Sequence, residues 1–121
     1  MNTKLINSAP VLFVSDISIS LHYYCNVLDF KWPKLWGDPP TFAMPHKDSV
    51  TIMLQIENDL SKIQPKNTIW DIYIWVHDAK TLFDQYKRNG AIVVQEPIYK
   101  ELYNNLEFIL KDPDGYSLAF G

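Results

Sequence analysis

Apolar and polar positions alternate along two short stretches of this chain, and each stretch runs directly into a helical pattern of apolar positions. The first stretch is Pro10-Val11-Leu12-Phe13-Val14-Ser15-Asp16, leading into a helix predicted over Ser18 to Leu28. The second is Ile72-Tyr73-Ile74-Trp75-Val76-His77-Asp78, leading into a helix over Ala79 to Asn89. Both end Val-x-Asp, and the two aspartates stand 62 residues apart in a chain of 121. At that offset Val14 matches Val76, Leu12 matches Ile74, Leu21 matches Phe83 and Tyr24 matches Tyr86. Self-similarity at half the chain length predicts two copies of one structural unit. The expected organisation is one domain over 1–121, with a first module over about 5–60 and a second over about 68–121.

Local signals place the remaining elements. Asp16 and Asp78 are natural N-caps, each offering a carboxylate to the free N–H groups of a first helical turn. Lys87 and Arg88 close the second helix, and Gly90 follows as a left-handed cap. Ala91 to Gln95 reads as a strand closed by Pro97, Ile98 to Asn105 as a Tyr- and Asn-rich loop, and Leu106 to Lys111 as a strand. Asp112-Pro113-Asp114-Gly115 has the composition of a tight turn before a closing strand, Tyr116 to Phe120. The second half is therefore expected to be β-α-β-β-β. In the first half, short strands over Phe30 to Trp36 and Thr41 to Met44 flank the turn Gly37-Asp38-Pro39-Pro40. A polar turn, Pro45 to Ser49, precedes a strand over Val50 to Ile56, and Glu57 to Asn67 is a linker.

Strand side chains alternate between two faces. Leu12, Val14, Ile72, Ile74 and Val76 form one aliphatic set suited to packing under the helices. The opposite set is Ala9, Val11, Phe13 and Ser15 in the first copy, with Asp71, Tyr73, Trp75 and His77 in the second. The same alternation sends Ile52, Leu54 and Ile56 inward and Thr51, Met53 and Gln55 outward; Leu118 and Phe120 pack inward, Ser117 and Ala119 outward. One face of the sheet is greasy throughout, and the other mixes large aromatics with a few polar groups. A concave surface lined that way is a small-molecule pocket.

Composition narrows the classes. A net charge of −3 offers nothing to a phosphate backbone, so nucleic acid is not an expected partner. No apolar run approaches the roughly 20 residues that span a bilayer, and Met1 to Pro10 lacks the apolar core of a secretory signal. The single cysteine, Cys25, suits a reducing cytoplasm and is expected to be a packing residue. Four Trp, seven Tyr and six Phe exceed what a core of this size needs, which points to rings at ligand or subunit contacts.

The duplicated β-α-β-β-β unit, the start "V-x-D … Y-Y-x-x-V-L-D-F" and the ending "E-F-I-L-K-D-P-D-G-Y-S-L-A-F" resemble the vicinal oxygen chelate superfamily. That group holds glyoxalase I, extradiol dioxygenases, and fosfomycin- and bleomycin-resistance proteins. The resemblance covers about Ile6 to Gly121 and implies an α+β fold, two repeated modules forming a curved mixed sheet around a cavity. Metal enzymes of this superfamily take ligands from matching positions of the two halves. Those positions here are Ala9, Met53, Asp71 and Ala119. Two alanines cannot coordinate and a thioether suits an oxygen-rich site poorly, so no metal and no other cofactor is expected. The histidines offer no replacement: His46 lies in a polar turn, His22 borders a helix stripe, and His77 lies about 20 Å along the strand from Asp71.

Without a metal, the chain is similar in type to the bleomycin-resistance proteins, which sequester a ligand without transforming it, in clefts shared by two chains. That implies a cytoplasmic homodimer holding an aromatic or cationic compound, and a role in resistance to a toxic metabolite. Phe13, Trp32, Trp36, Tyr73 and Trp75 supply flat π faces, Met53 shares their surface, and Asp71 and Glu107 supply negative charge. The alternative is an enzyme of the same fold, a lyase, isomerase or dioxygenase with an unusual metal site or an acid–base pair on Asp71 and Glu107. A third reading is a regulatory dimer with an incidental cavity.

Overall fold

Alternation along the first strand is realised in β1 (Val11–Val14), where Leu12 and Val14 are buried and Val11 and Phe13 are exposed. A computed structural model of the protein describes residues 2–121. After β1 comes α1 (Ile17–Leu21), whose N-cap Asp16 accepts from the Ile19 amide, and then a π-helical stretch over His22–Val27. The first half continues with β2 (Leu35–Trp36), β3 (Phe42–Ala43), a hairpin of β4 (His46–Lys47) and β5 (Val50–Thr51), and β6 (Met53–Ile56). The second half holds β7 (Ile72–Ile74), α2 (Ala79–Arg88), β8 (Ile92–Lys100), β9 (Asn105–Lys111) and β10 (Ser117–Phe120). Two four-stranded sheets result, in the orders β1-β6-β3-β2 and β7-β10-β9-β8. In each, the first strand lies parallel to the last, a pairing that requires a helical crossover. Among the described residues, no helix is long and apolar enough to cross a membrane.

Three sequence expectations are corrected. The first helix is not α-helical to Leu28: Leu28 N–H donates to the Tyr23 carbonyl, five residues back, at 3.0 Å. Tyr23, Tyr24 and Cys25 are all buried, and three consecutive inward side chains do not fit one face of a 3.6-residue turn, whereas a widened turn accommodates them. Strand β8 does not stop before Pro97 but runs to Lys100, because it is the edge of its sheet and its ladder to β9 shifts register between Gln95 and Ile98. The segment read as a loop therefore contains the end of β8, a 3₁₀ turn over Glu101–Tyr103 and the start of β9. Finally, the strand expected over Phe30 to Trp36 is confined to Leu35–Trp36, preceded by one isolated bridge from Lys31 to His46.

The inward faces of both sheets, together with both helices, meet in a single core that includes Val14, Leu21, Tyr24, Leu54, Phe83, Tyr86, Phe108 and Phe120. Phe108 stacks on Phe120 at 4.9 Å, with Phe83 and Tyr86 edge-on to Phe108. Polar contacts join the halves at the margin of this core. Tyr24 Oη donates to Asp112 Oδ2 at 2.8 Å, Tyr116 Oη to the Phe13 carbonyl at 2.7 Å, and Ser15 Oγ to Asp114 Oδ1 at 2.7 Å. The amide of Ile92 donates to Tyr23 Oη at 3.1 Å.

Asp112 is the charged end of that seam. Burial pushes its carboxyl up to about 6, although hydrogen bonds from Tyr24, Tyr116 and Asp114 favour the ionised form. An acid whose folded pKa lies above its ordinary value of 3.8 holds its proton in the folded chain between those two pH values. Its contribution to stability is greatest below about pH 4 and is lost as pH rises through about 6. Chemical denaturation between pH 4 and pH 7 is expected to show Asp112→Asn removing roughly 2–3 kcal/mol of that decline. Equal pH slopes for the two proteins would contradict this.

Candidate functional site

Because the greasy faces share one core, the aromatic faces of the two sheets are turned outward. On the first sheet, cross-strand register sets Phe13 opposite Gln55, Gln55 opposite Phe42, and Phe42 opposite Trp36. This row ends in an edge-to-face pair, Trp36 on Phe42 at 5.4 Å, and Lys34 Nζ lies 6.0 Å from the Trp36 ring. Met53 is half-buried beside the row, opposite Val11. Trp32 is exposed outside the strands and has no aromatic contact among the described residues, so the structure does not bring it into the row.

The second sheet carries a denser cluster. Tyr73 lies across from Ala119, and its ring contacts Trp70 at 4.9 Å and Trp75 at 5.4 Å. Its hydroxyl accepts from Asn105 Nδ2 at 2.8 Å. Ala119 is covered yet stands outside the core, which leaves a flat floor between Tyr73 and Ile109. Glu107 is 1% exposed beneath this cluster, and Tyr103 Oη donates to its Oε1 at 2.6 Å. That bond to the carboxylate, with some burial, pushes the Tyr103 hydroxyl up to about 12. Burial raises the Tyr73 hydroxyl as well; the Asn105 contact pulls it down and Glu107 pushes it up. Trp75, 80% exposed, presents a nearly free ring at the rim.

Trp70, Tyr103, Asn105 and Phe42 are members of these faces that the sequence reading did not single out. For Tyr103 and Asn105 the Tyr- and Asn-rich composition of residues 98–105 is the available signal, informative only once β8 is seen to extend past Pro97.

Asp71 performs a different task. Its Oδ1 accepts from the Lys66 amide at 3.0 Å and its Oδ2 from the Ser117 amide at 2.9 Å. It thereby ties the segment between the halves to the start of β10, and it borders a cavity of about 300 Å³ with Val11, Phe13 and Tyr116. Asp71 and Glu107 share no hydrogen-bond partner.

The positions that would hold a metal do not suit one. Ala9 and Ala119 have no donor, Met53 offers a thioether, and both Asp71 oxygens receive backbone amides. Among the described residues, no three His, Cys, Asp or Glu side chains are grouped to hold an ion. His22, His46 and His77 are all exposed, with His22 bonded to Asn26. Cys25 is buried, and burial raises its thiol to about 11, as suits a packing residue.

The profile of the Glyoxalase/Bleomycin resistance protein/Dioxygenase superfamily matches residues 7–120. Among solved structures, TioX from Micromonospora sp. ML1 is similar with a TM-score of 0.78 and 16% identity, over 95% of this chain and 96% of that one. The bleomycin-binding protein of Streptomyces verticillus, solved with copper(II)-bleomycin, gives a TM-score of 0.75 and 16% identity, over 98% and 97% of the two chains. A glyoxalase/bleomycin resistance protein from Streptomyces sp. CB03234 gives 0.73 and 14%, over 96% and 99%. At such identities the likeness is one of fold. No curated protein matches the chain.

Removing the Asp71 carboxylate strands two backbone amides. Asp71→Ala is expected to lower unfolding free energy by about 2 kcal/mol in urea titrations, and Asp71→Asn, which keeps one acceptor oxygen, by about half as much. An unchanged midpoint for Asp71→Ala would show that solvent replaces both contacts.

Proposed function

The chain belongs to the Glyoxalase/Bleomycin resistance protein/Dioxygenase superfamily, and on that premise we propose that it is a cytoplasmic, metal-free binding protein. It sequesters a small aromatic or cationic compound, without transforming it, in clefts shared by two copies of the chain. The observation that carries this reading is that each chain turns two aromatic faces to solvent, Phe13 with Trp36 on one sheet and Tyr73 with Trp75 on the other. Each face is half of a pocket. Two chains set face to face close two equivalent clefts, each with one sheet from either chain, and an interface of this kind repeats the same contact under two-fold symmetry.

The chemistry of the walls sets the ligand class. Stacked rings hold a flat compound, and a cation gains roughly 0.5–2 kcal/mol per ring face. Glu107, buried beneath Tyr73 and Tyr103, supplies negative charge to the same wall. The Streptomyces verticillus relative, solved with copper(II)-bleomycin, supports small-molecule binding on this fold. An acid–base reaction on Asp71 and Glu107 is not favoured, since both oxygens of Asp71 serve backbone amides.

Analytical ultracentrifugation is expected to show a dimer. Proflavine, a planar aromatic cation, should quench tryptophan emission saturably and be recovered unchanged. Phe13→Ala and Tyr73→Ala should each weaken that binding about tenfold, the worth of one stacked contact. A monomer, or consumption of the ligand, would overturn the reading.

A further inference from the structure

The internal repeat gives the chain two junctions between its halves, and they are filled differently. Val11 pairs with Met53 in the first sheet and Tyr73 pairs with Ala119 in the second. By that register Phe13 corresponds to Trp75, Leu54 to Phe120 and Val50 to Tyr116. At one junction the second-half turn closes on β1: Tyr116 is buried and its hydroxyl donates to the Phe13 carbonyl at 2.7 Å. At the other, the first-half turn faces the end of β7, and Val50 stands where a tyrosine would. That turn is also one residue shorter, since His46 pairs with Thr51 whereas Lys111 pairs with Ser117.

A cavity of about 570 Å³ remains there, floored by Phe30, Ile74, Tyr86 and Phe120, with Asp48 and His77 at its mouth. Its volume lies within the range of small-molecule sites. Two polar groups at this junction lack the partners of their counterparts. Tyr24 donates to Asp112, while the hydroxyl of the corresponding Tyr86 has no hydrogen-bond partner among the described residues. The Phe13 carbonyl receives Tyr116, while the corresponding Trp75 carbonyl accepts no such bond among the described residues.

We propose that this cavity is a second binding site, for a small phenol. The ring occupies the space that Val50 leaves, and the hydroxyl donates to the Trp75 carbonyl as Tyr116 donates to that of Phe13. The site lies at the junction of the halves rather than on the outward aromatic faces, so it stands independently of the ligand proposed for those faces.

The test is an amide NMR titration of the whole chain with p-cresol. Saturable shifts are expected at Val50, Val76 and His77, and they should persist in Tyr73→Ala. Toluene, which has the ring without the hydroxyl, should bind roughly tenfold more weakly, the loss of one buried hydrogen bond. Val50→Tyr should refill the junction and abolish the shifts. If that variant does not fold, Val50→Leu, which takes part of the space, should weaken binding instead, and the comparison of p-cresol with toluene on the unaltered chain still decides. Equal affinity for toluene, shifts confined to the Phe13 and Tyr73 faces, shifts that survive in folded Val50→Tyr, or no saturation would each overturn the proposal.

Discussion

The hydrogen bond from Tyr24 to Asp112 crosses from the helix of one half to the closing turn of the other at the margin of the core. It marks the constraint on which the architecture rests: the two halves bury their greasy faces against each other. Neither sheet can bury both faces against a helix, because among the described residues each half has a single helical segment longer than one turn. The helix side goes inward, and the side bearing aromatics is left to solvent. Burial of the aspartate costs stability once it ionises, while three donors hold its carboxylate in place, so the contact trades stability for a defined seat of one half on the other.

Those outward faces are unequal. The first sheet offers a row of rings with little charge, Phe13 to Trp36 by way of Gln55 and Phe42. The second offers rings layered over a buried carboxylate, with Tyr103 and Asn105 holding the polar atoms of Glu107 and Tyr73. One face is suited to stacking and the other to stacking with charge recognition. In the arrangement proposed above, a ligand held between two copies of the chain would meet both kinds of wall at once, which would favour a flat cation over a neutral ring of the same size.

Much of this was legible in the chain itself, for physical reasons that differ by element. The N-caps Asp16 and Asp78 act locally, so the sequence placed both helix starts, and strict alternation through β1, and through β7 into the residue after it, assigned Phe13, Tyr73 and Trp75 to the outward face. The π turn was not legible, since it answers the joint burial of Tyr23, Tyr24 and Cys25, the two tyrosines bonding to Ile92 and Asp112 of the other half. Extension of β8 through Pro97 depends on its being an edge strand, a fact of sheet order rather than of local composition. The sequence presents Asp71 as a source of charge for a ligand, but its bond from the Ser117 amide spans 46 residues of sequence, beyond any local pattern. Glu107 could not be assigned a face from its own strand, and its burial depends on Tyr103 folding back over it.

In the proposed arrangement a complete cleft needs one sheet from each of two chains, so two chains with complementary defects should repair each other when mixed. A chain carrying Phe13→Ala and Trp36→Ala keeps its second sheet, and one carrying Tyr73→Ala and Trp75→Ala keeps its first. Each alone should bind proflavine poorly, while unfolding and refolding them together should restore tight binding at one cleft per mixed dimer. Mixtures no better than their parents would show that each chain builds its site alone.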